Sequence, residues 1–459
     1  MIAPRDDAIR WRSIPLGEIA EVKLGKMLDK SKHITGRRFP YLRNINVRWG
    51  SVDTTDLLEM YFKEGELDRF GLKKGDVLVC EGGEPGRAAV WNNSISDIKY
   101  QKAIHRIRFK QPYEPRLLVY LLELLAKTGR LERRFTGSTI KHFTREALVR
   151  LPVPLPLLDE QQNIVAEIEK QFTRLDAGVA SLKRVQTALK RYRASVLKAA
   201  CEGRLVATEA ELARKENRSY ETGEQLLQRI LKERREKWNG KGKYKEPQAP
   251  NTVVIPSLPE GWTWATFEQI ALRVTVGHVG PMKHEYVENG IPFLRSQNVR
   301  ENRFDAEGLL FIRPEFDSKL EKSRVRAGDL AVVRSGSVGV TCVIPDTLGT
   351  ANCADLVLIQ QPLAFVPEYG AYYMNSLAKR RVEAGKVGVA LTHFNTKSVA
   401  AMPVPLPPFE EQKRIVTEVE RRFSVLDELE AVTSDNVHRA TRLRQSVLTS
   451  AFGETSIGL

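Results

Sequence analysis

The side chains best suited to bonding base edges and phosphates recur in this chain in two places with matching spacing. Arg43, Asn44 and Asn46 stand in residues 40–47, and Arg295, Gln297 and Asn298 stand in residues 292–299. Arg, Asn and Gln carry donors and acceptors that match base edges in the major groove, so these six are candidate base contacts, with ordinary turn polarity as the alternative. Further on, Ser138, Thr139, Lys141 and His142 match Thr392, His393, Asn395 and Lys397. Such hydroxyl, amide and ammonium groups suit phosphates, which position a duplex without specifying its sequence. The paired histidines equally suit a structural hydrogen bond. Lys30, Lys32, Arg37 and Arg38 form a basic cluster, which fits either a nucleic-acid backbone or a solvated loop. The glycine loops at 82–86 and 335–339, the latter with Ser335 and Ser337, fit a phosphate cradled by backbone N–H groups or simply a tight turn.

Catalytic motifs do not accompany these groups. The chain has no G-x-x-x-x-G-K-[ST] loop, no H-E-x-x-H and no Ser-centred nucleophile elbow. It also lacks the Asn/Asp-Pro-Pro-aromatic tetrapeptide and glycine-rich cofactor loop of an aminomethyltransferase. Glu21-Val22-Lys23 has the spacing of nuclease motifs, but it falls in a helical-looking run without an upstream acidic strand. Cys80, Cys201, Cys342 and Cys353 are scattered and form no C-x-x-C pair, which argues against a disulfide framework or a structural zinc site.

The matching groups belong to a tandem repeat with an offset of about 251–253 residues. Residues 75–79 (Gly-Asp-Val-Leu-Val) return as 328–332 (Gly-Asp-Leu-Ala-Val), and residues 151–161 return as 402–412. Short apolar runs after each Gly-Asp turn read as strands, and residues 117–125 read as a helix with a counterpart around 372–377. The Pro-x-Pro-x-Pro stretches 152–156 and 403–407 are expected to be extended and to end each globular unit. Beyond them, Ile164, Ile168, Phe172, Leu175, Val179, Leu182, Val185, Leu189, Tyr192 and Val196 step by threes and fours, the seam of a helix that packs on another helix. The second copy runs Ile415, Val419, Phe423, Leu426, then less regularly to Leu443, Val447 and Leu448, with Glu430, Thr433 and Asn436 at seam positions. Helices of about 40 residues are rods of about 60 Å. Two such rods pair most simply antiparallel, which relates the globular units by a pseudo-twofold axis.

Composition agrees with a DNA-binding, non-membrane protein. Lys+Arg number 72 against 57 Asp+Glu in 459 residues, a net charge of +15. Residues 181–250 hold 18 Lys+Arg and 9 Asp+Glu, either a solvated helix face with a linker or a surface for DNA or a partner. No run approaches a membrane span, and the charged first residues lack the apolar core of a secretory signal, so a cytoplasmic location is expected.

Several stretches together resemble the specificity subunit of type I restriction–modification enzymes, over essentially the whole chain. They are the Leu-Pro-x-Pro-Leu-Pro-x-x-x-Glu-Gln pattern at 151–161 with its copy, starting at Met402, at 402–412, residues 195–206, Lys237-Trp238 with residues 243–247, and residues 258–264. The resemblance implies a mixed α/β fold: two similar target-recognition domains separated and joined by two long antiparallel helices. The domains fall at 1–156 and 257–407, with a helical spacer and linker at 157–256 and a helical spacer at 408–459. It also implies a subunit without catalysis or cofactor of its own, whose two domains read the halves of an asymmetric bipartite duplex DNA target. Its partners would be two adenine-N6 methyltransferase subunits using S-adenosylmethionine and two motor–nuclease subunits using ATP and Mg²⁺. The alternative is a non-catalytic coiled-coil scaffold that binds DNA without sequence preference.

Overall fold

Alternating prolines dictate how each globular part closes. In the computed structural model, which describes residues 11–27, 36–93, 95, 97–238, 243–250, 255–378 and 395–453, strand Pro152–Pro154 pairs antiparallel with Ser13–Pro15. Leu155 N–H donates to the Arg12 carbonyl and Leu16 N–H to that of Leu151, so the prolines fall at positions whose N–H would point away from the partner. Pro403–Leu406 pairs with Thr263–Thr266 in the same way.

The chain forms two compact units, residues 1–184 with 433–459, and residues 185–432. In the first, strands Ala20–Leu24, Ile104–Phe109, Val77–Cys80 and Ala88–Val90 lie side by side in that order as an antiparallel sheet. A second sheet orders Leu58–Phe62, Arg37–Leu42 and Lys99–Tyr100. The other unit repeats the first sheet with Ala271–Val276, Leu356–Pro362, Leu330–Val333 and Thr341–Val343. The Glu21-Val22-Lys23 triplet therefore lies on a strand, not a helix. A helical turn, Leu16–Ile19, only precedes it, and the β-sheet pairing with Ile104–Phe109 overrides the local propensity.

Each repeat then enters a 44-residue helix, Leu158–Cys201 and Phe409–Phe452. The Glu-Gln of the repeated motif fastens each start. Gln161 is buried, accepts from Glu114 N–H at 2.8 Å and donates to the Pro156 carbonyl at 2.9 Å. Gln412 does the same with Val366 N–H (2.8 Å) and the Pro407 carbonyl (3.0 Å). Glu160 accepts the Trp11 indole N–H at 3.2 Å, as Glu411 accepts that of Trp262 at 2.9 Å.

Within each unit the two helices meet through one repeated arrangement. In the first unit, Arg444 lies 3.8 Å from the Phe172 ring centroid and pairs with Asp176 at 2.9 Å. In the second, Arg193 lies 4.5 Å from the Phe423 ring and pairs with Asp427 at 2.5 Å. The seam differs from the periodic reading in places. Val165 is buried beside Ile164, whereas Val185 and Tyr192 are 43% and 46% exposed. The region 157–256 is not only spacer: helix Gly223–Glu236 follows the long helix and buries Leu226, Leu227 and Ile230 in the core of the second unit.

Candidate nucleic-acid interface

In the first unit, strand Arg37–Leu42 feeds a single 3-10 turn, Asn44–Asn46, and then the hairpin Val47–Arg48 with Ser51–Val52. Asn46 organises this loop. It is buried, its Oδ1 accepts Arg43 N–H at 2.9 Å, and its Nδ2 donates to the carbonyls of Asp53 and Asp56 at 3.0 Å each. The second unit repeats this arrangement with its second acceptor one residue earlier in the loop. Asn298 is fully buried, accepts Arg295 N–H at 3.0 Å, and donates to Asp305 (2.9 Å) and Glu307 (3.2 Å) carbonyls. Asp53 takes the Thr55 hydroxyl and N–H, and Asp305 takes Glu307 N–H and Arg300; these bonds hold both carboxyls below their usual range.

Asn46 and Asn298 are thus corrected from base contacts to framework residues, because every hydrogen-bonding group they own is spent inside the loop. What the framework presents outward is the residue between. Ile45 is 50% exposed in the first unit, and exposed Gln297 takes its place in the second. Arg43 is half-buried and pairs with Asp56 at 2.6 Å, and Arg295 donates to the Gly308 carbonyl at 2.9 Å. Asn44 donates to the Gly82 carbonyl at 3.2 Å, so it ties the loop to the glycine turn.

That turn joins Val77–Cys80 to Ala88–Val90. Gly86 N–H returns to the Cys80 carbonyl at 2.9 Å, as Gly339 N–H does to Val333 at 2.9 Å. Gly83 and Gly336 share φ = +82°, and a Cβ on Gly83 would lie 2.6 Å from Asn44 Nδ2. The tips differ chemically. Glu84 accepts from the Trp49 indole at 2.8 Å and from Arg87 at 2.8 Å, whereas Ser335 and Ser337 are exposed on a tip without acid. Arg87 also donates to the Asn44 carbonyl at 2.8 Å, bracing the two loops.

Thr139 and Lys141 are exposed on a small hairpin closed by Thr136 and His142, whose N–H groups each donate to the other's carbonyl at 2.9 Å. This hairpin, Trp49 and the glycine turn line one cleft of about 780 Å³. His142 itself is exposed, and Ser138 lies on the same turn. The buried histidine is His105, whose Nε2 meets the Phe143 carbonyl at 2.9 Å; burial holds its pKa below the ordinary value. Asn395 is exposed and also starts a helix. Its side chain caps helix Thr396–Ala400 by accepting Ser398 N–H at 2.9 Å, the role Thr144 has for Arg145–Val149. Lys397 is exposed in that first turn. Arg37 and Arg38 are exposed on their strand, Arg38 paired with Glu59 at 3.3 Å. Lys30, Lys32, Thr392 and His393 lie outside the described residues. Sequence reasoning passed over Ile45, Trp49 and Arg87. The signal for Ile45 was its place opposite Gln297 in otherwise matching segments.

All four cysteines are free and buried, with burial pushing the Cys80 thiol up to about 11, so none is poised as a nucleophile. Among the described residues no helix is long and apolar enough to cross a membrane. The two copies of the loop scaffold present different side chains. Residues 9–187 and 281–437 match the family model described as the type I restriction modification DNA specificity domain. The chain is 25% identical over 458 residues to the EcoBI specificity subunit of Escherichia coli, covering 96% of this chain and 85% of that one. It is 23% identical to the EcoKI specificity subunit of Escherichia coli strain K12, with 96% and 88% covered. Among solved structures, a chain from work on complex assembly and conformational transition of the type I R-M system superposes with a TM-score of 0.63 at 19% identity, covering 98% and 100%. The HsdS subunit of Thermoanaerobacter tengcongensis superposes at 0.50 and 20% identity, covering 98% of each chain. The chain belongs to the type I restriction modification DNA specificity family. Its role is that of the DNA sequence-specificity subunit, which is non-catalytic.

Proposed function

We propose that each repeat reads one half of an asymmetric bipartite DNA target. The observation that carries this is the loop scaffold, built in both copies around one buried asparagine but presenting Ile45 in one copy and Gln297 in the other. Equal scaffolds place equal parts of the protein against DNA; unequal outward residues select unequal half-sites. Arg43, Asn44, Arg295 and Gln297 face the bases. Arg37, Arg38, Thr139, Lys141, Ser335, Ser337 and Lys397 hold phosphates. The recognition domains span 1–156 and 257–407.

The two long helices run antiparallel as a coiled coil and set the spacer between half-sites, under a pseudo-twofold axis. Support comes from the Arg–Phe–Asp contacts, in which Arg444 with Phe172 and Asp176 mirrors Arg193 with Phe423 and Asp427. Two methyltransferase subunits dock on the helices and carry S-adenosylmethionine; two motor–nuclease subunits bring ATP and Mg²⁺. Val425, Leu429 and Val432, 45–55% exposed at helical spacing, suit such a protein partner. The complex works in the cytoplasm.

The test is N6-methyladenine sequencing of the source genome with and without this gene, the methyltransferase subunit being expressed in both. Loss of one asymmetric bipartite motif is the expected result. An unchanged methylome refutes the proposal.

A further inference from the structure

The loop tips carry more than a list of contacts. Around residue 45 each neighbour is engaged: Arg43 with Asp56, Asn44 with Gly82, and Asn46 with Asp53 and Asp56. Ile45 alone of this turn is left as an exposed aliphatic side chain, on a loop whose other groups are polar. A single exposed isoleucine is ordinary on a protein surface, so exposure by itself assigns nothing. The second copy supplies the independent observation. At the same position of the same turn stands Gln297, whose Nε2 donates to the Gly308 carbonyl at 3.2 Å.

That bond uses one amide hydrogen and steadies the side chain. The second amide hydrogen and Oε1 then form a donor–acceptor pair, the complement of adenine N7 and N6–H. Residue 308 must be small for this. Gly308 sits at φ = +64°, and a Cβ there would come within 2.8 Å of Gln297 Nε2. The first unit has Asp56 at the matching place, where its carboxylate holds Arg43 instead. An isoleucine has no hydrogen bond to offer, and the one apolar group on a major-groove base edge is the thymine methyl.

We propose that the tip residue of each loop is a base-discriminating position, Ile45 selecting a thymine through its methyl group and Gln297 selecting an adenine through a two-point hydrogen bond. This deepens, and rests on, the reading of the chain as a bipartite DNA specificity subunit.

The experiment uses the full chain assembled with its methyltransferase subunits, and duplexes bearing the target found by methylation sequencing. Each thymine of the first half-site is replaced singly by uracil, which removes only the methyl. One position is expected to weaken binding by about 3–5-fold, the worth of a buried methyl. Each adenine of the second half-site is replaced singly by 7-deazaadenine, which removes the N7 acceptor; one position is expected to weaken binding by about 10-fold. Complexes with Ile45→Ala and Gln297→Ala should become indifferent to their own replacement and keep the response of the other half-site. A flat uracil scan with the unsubstituted complex, or a first half-site lacking thymine on both strands, overturns the Ile45 assignment without needing any variant to fold. A flat 7-deazaadenine scan does the same for Gln297. These results leave the specificity role standing if a bipartite motif is methylated; absence of any such motif would remove the role itself.

Discussion

Strand Ile104–Phe109 of the first unit and strand Leu356–Pro362 of the second occupy the same place in sheets of the same order, yet their chemistry is opposite. The first buries His105 and Arg106, where the second has Val357 and Leu358. Arg106 donates to the carbonyls of Arg69 and Gly71 and pairs with Glu21 at 2.8 Å. Arg108 clasps Asp76 with bonds of 2.7 and 2.6 Å, whereas Gln360 stands opposite Asp329 in the second unit. Burial accordingly holds the Asp329 carboxyl above its usual range. What both keep is the aspartate's backbone bond, to Lys73 N–H at 2.7 Å and to Arg326 N–H at 2.9 Å. The duplicated units retain the bonds that shape the backbone and differ in the side-chain electrostatics laid over it.

Removing a group that only one unit has should give the largest effect. Arg106→Ala removes the fully buried guanidinium that donates to the Arg69 and Gly71 carbonyls and pairs with Glu21, leaving only Arg108 on Gly71 and Lys23 on Glu21, and is expected to destabilise the first unit by about 3 kcal/mol in urea unfolding. Leu358→Arg, which imposes the charge on the second unit without its partners, should prevent that unit from folding. If either change is tolerated, the contrast between the strands is cosmetic.

The shared framework predicts equal losses. Asn46→Ala orphans the Arg43 N–H and the Asp53 carbonyl while Asp56 keeps Arg43, Asn298→Ala orphans the Arg295 N–H and the carbonyls of Asp305 and Glu307, and each should cost about 2–3 kcal/mol, read as a fall of several degrees in the melting of its own unit. Unequal costs would show that the loops only look alike.

Acid separates the units in the opposite sense. His105 titrates below the ordinary imidazole value of 6.5 because it is buried, so its contribution to stability is present above that value and is lost as pH falls through the folded one. Asp329, raised above 3.8, contributes most below that value and loses it as pH rises through its folded pKa. Melting between pH 7 and pH 5 should therefore lower the first unit's transition, and His105→Gln should flatten that slope. A slope unaltered by the substitution would assign it to other groups.

The smallest effects concern surface charge and helix pairing. Ser337→Glu copies the acidic tip of the first glycine turn into the second and should weaken DNA binding about 5–10-fold at physiological salt. Arg193→Ala and Arg444→Ala each remove a ring contact and two ion pairs, about 1 kcal/mol in their respective units.

Much of this was legible in the residues. The repeat located both loops, both glycine turns and the Pro-x-Pro strands, because duplicated backbones need the same glycines, prolines and capping groups. Residue type alone misassigned Asn46 and Asn298. An asparagine that holds a turn and one that reads a base use the same amide, and only burial tells them apart. The helix seam was read from periodicity, which cannot foresee that Val185 and Tyr192 face outward or that arginines supply the repeated contacts. Glu21–Lys23 was misread because a short helical turn abuts a strand fixed by long-range pairing.

The most direct test of the central claim is an exchange. Residues 257–407 are replaced by the corresponding part of another specificity subunit, the chain is expressed with its methyltransferase, and the methylated motif is sequenced. One half-site should be unchanged, the other replaced, and the spacer kept. A motif altered in both halves, with the exchanged chain folded and the complex active, would contradict independent reading by two domains.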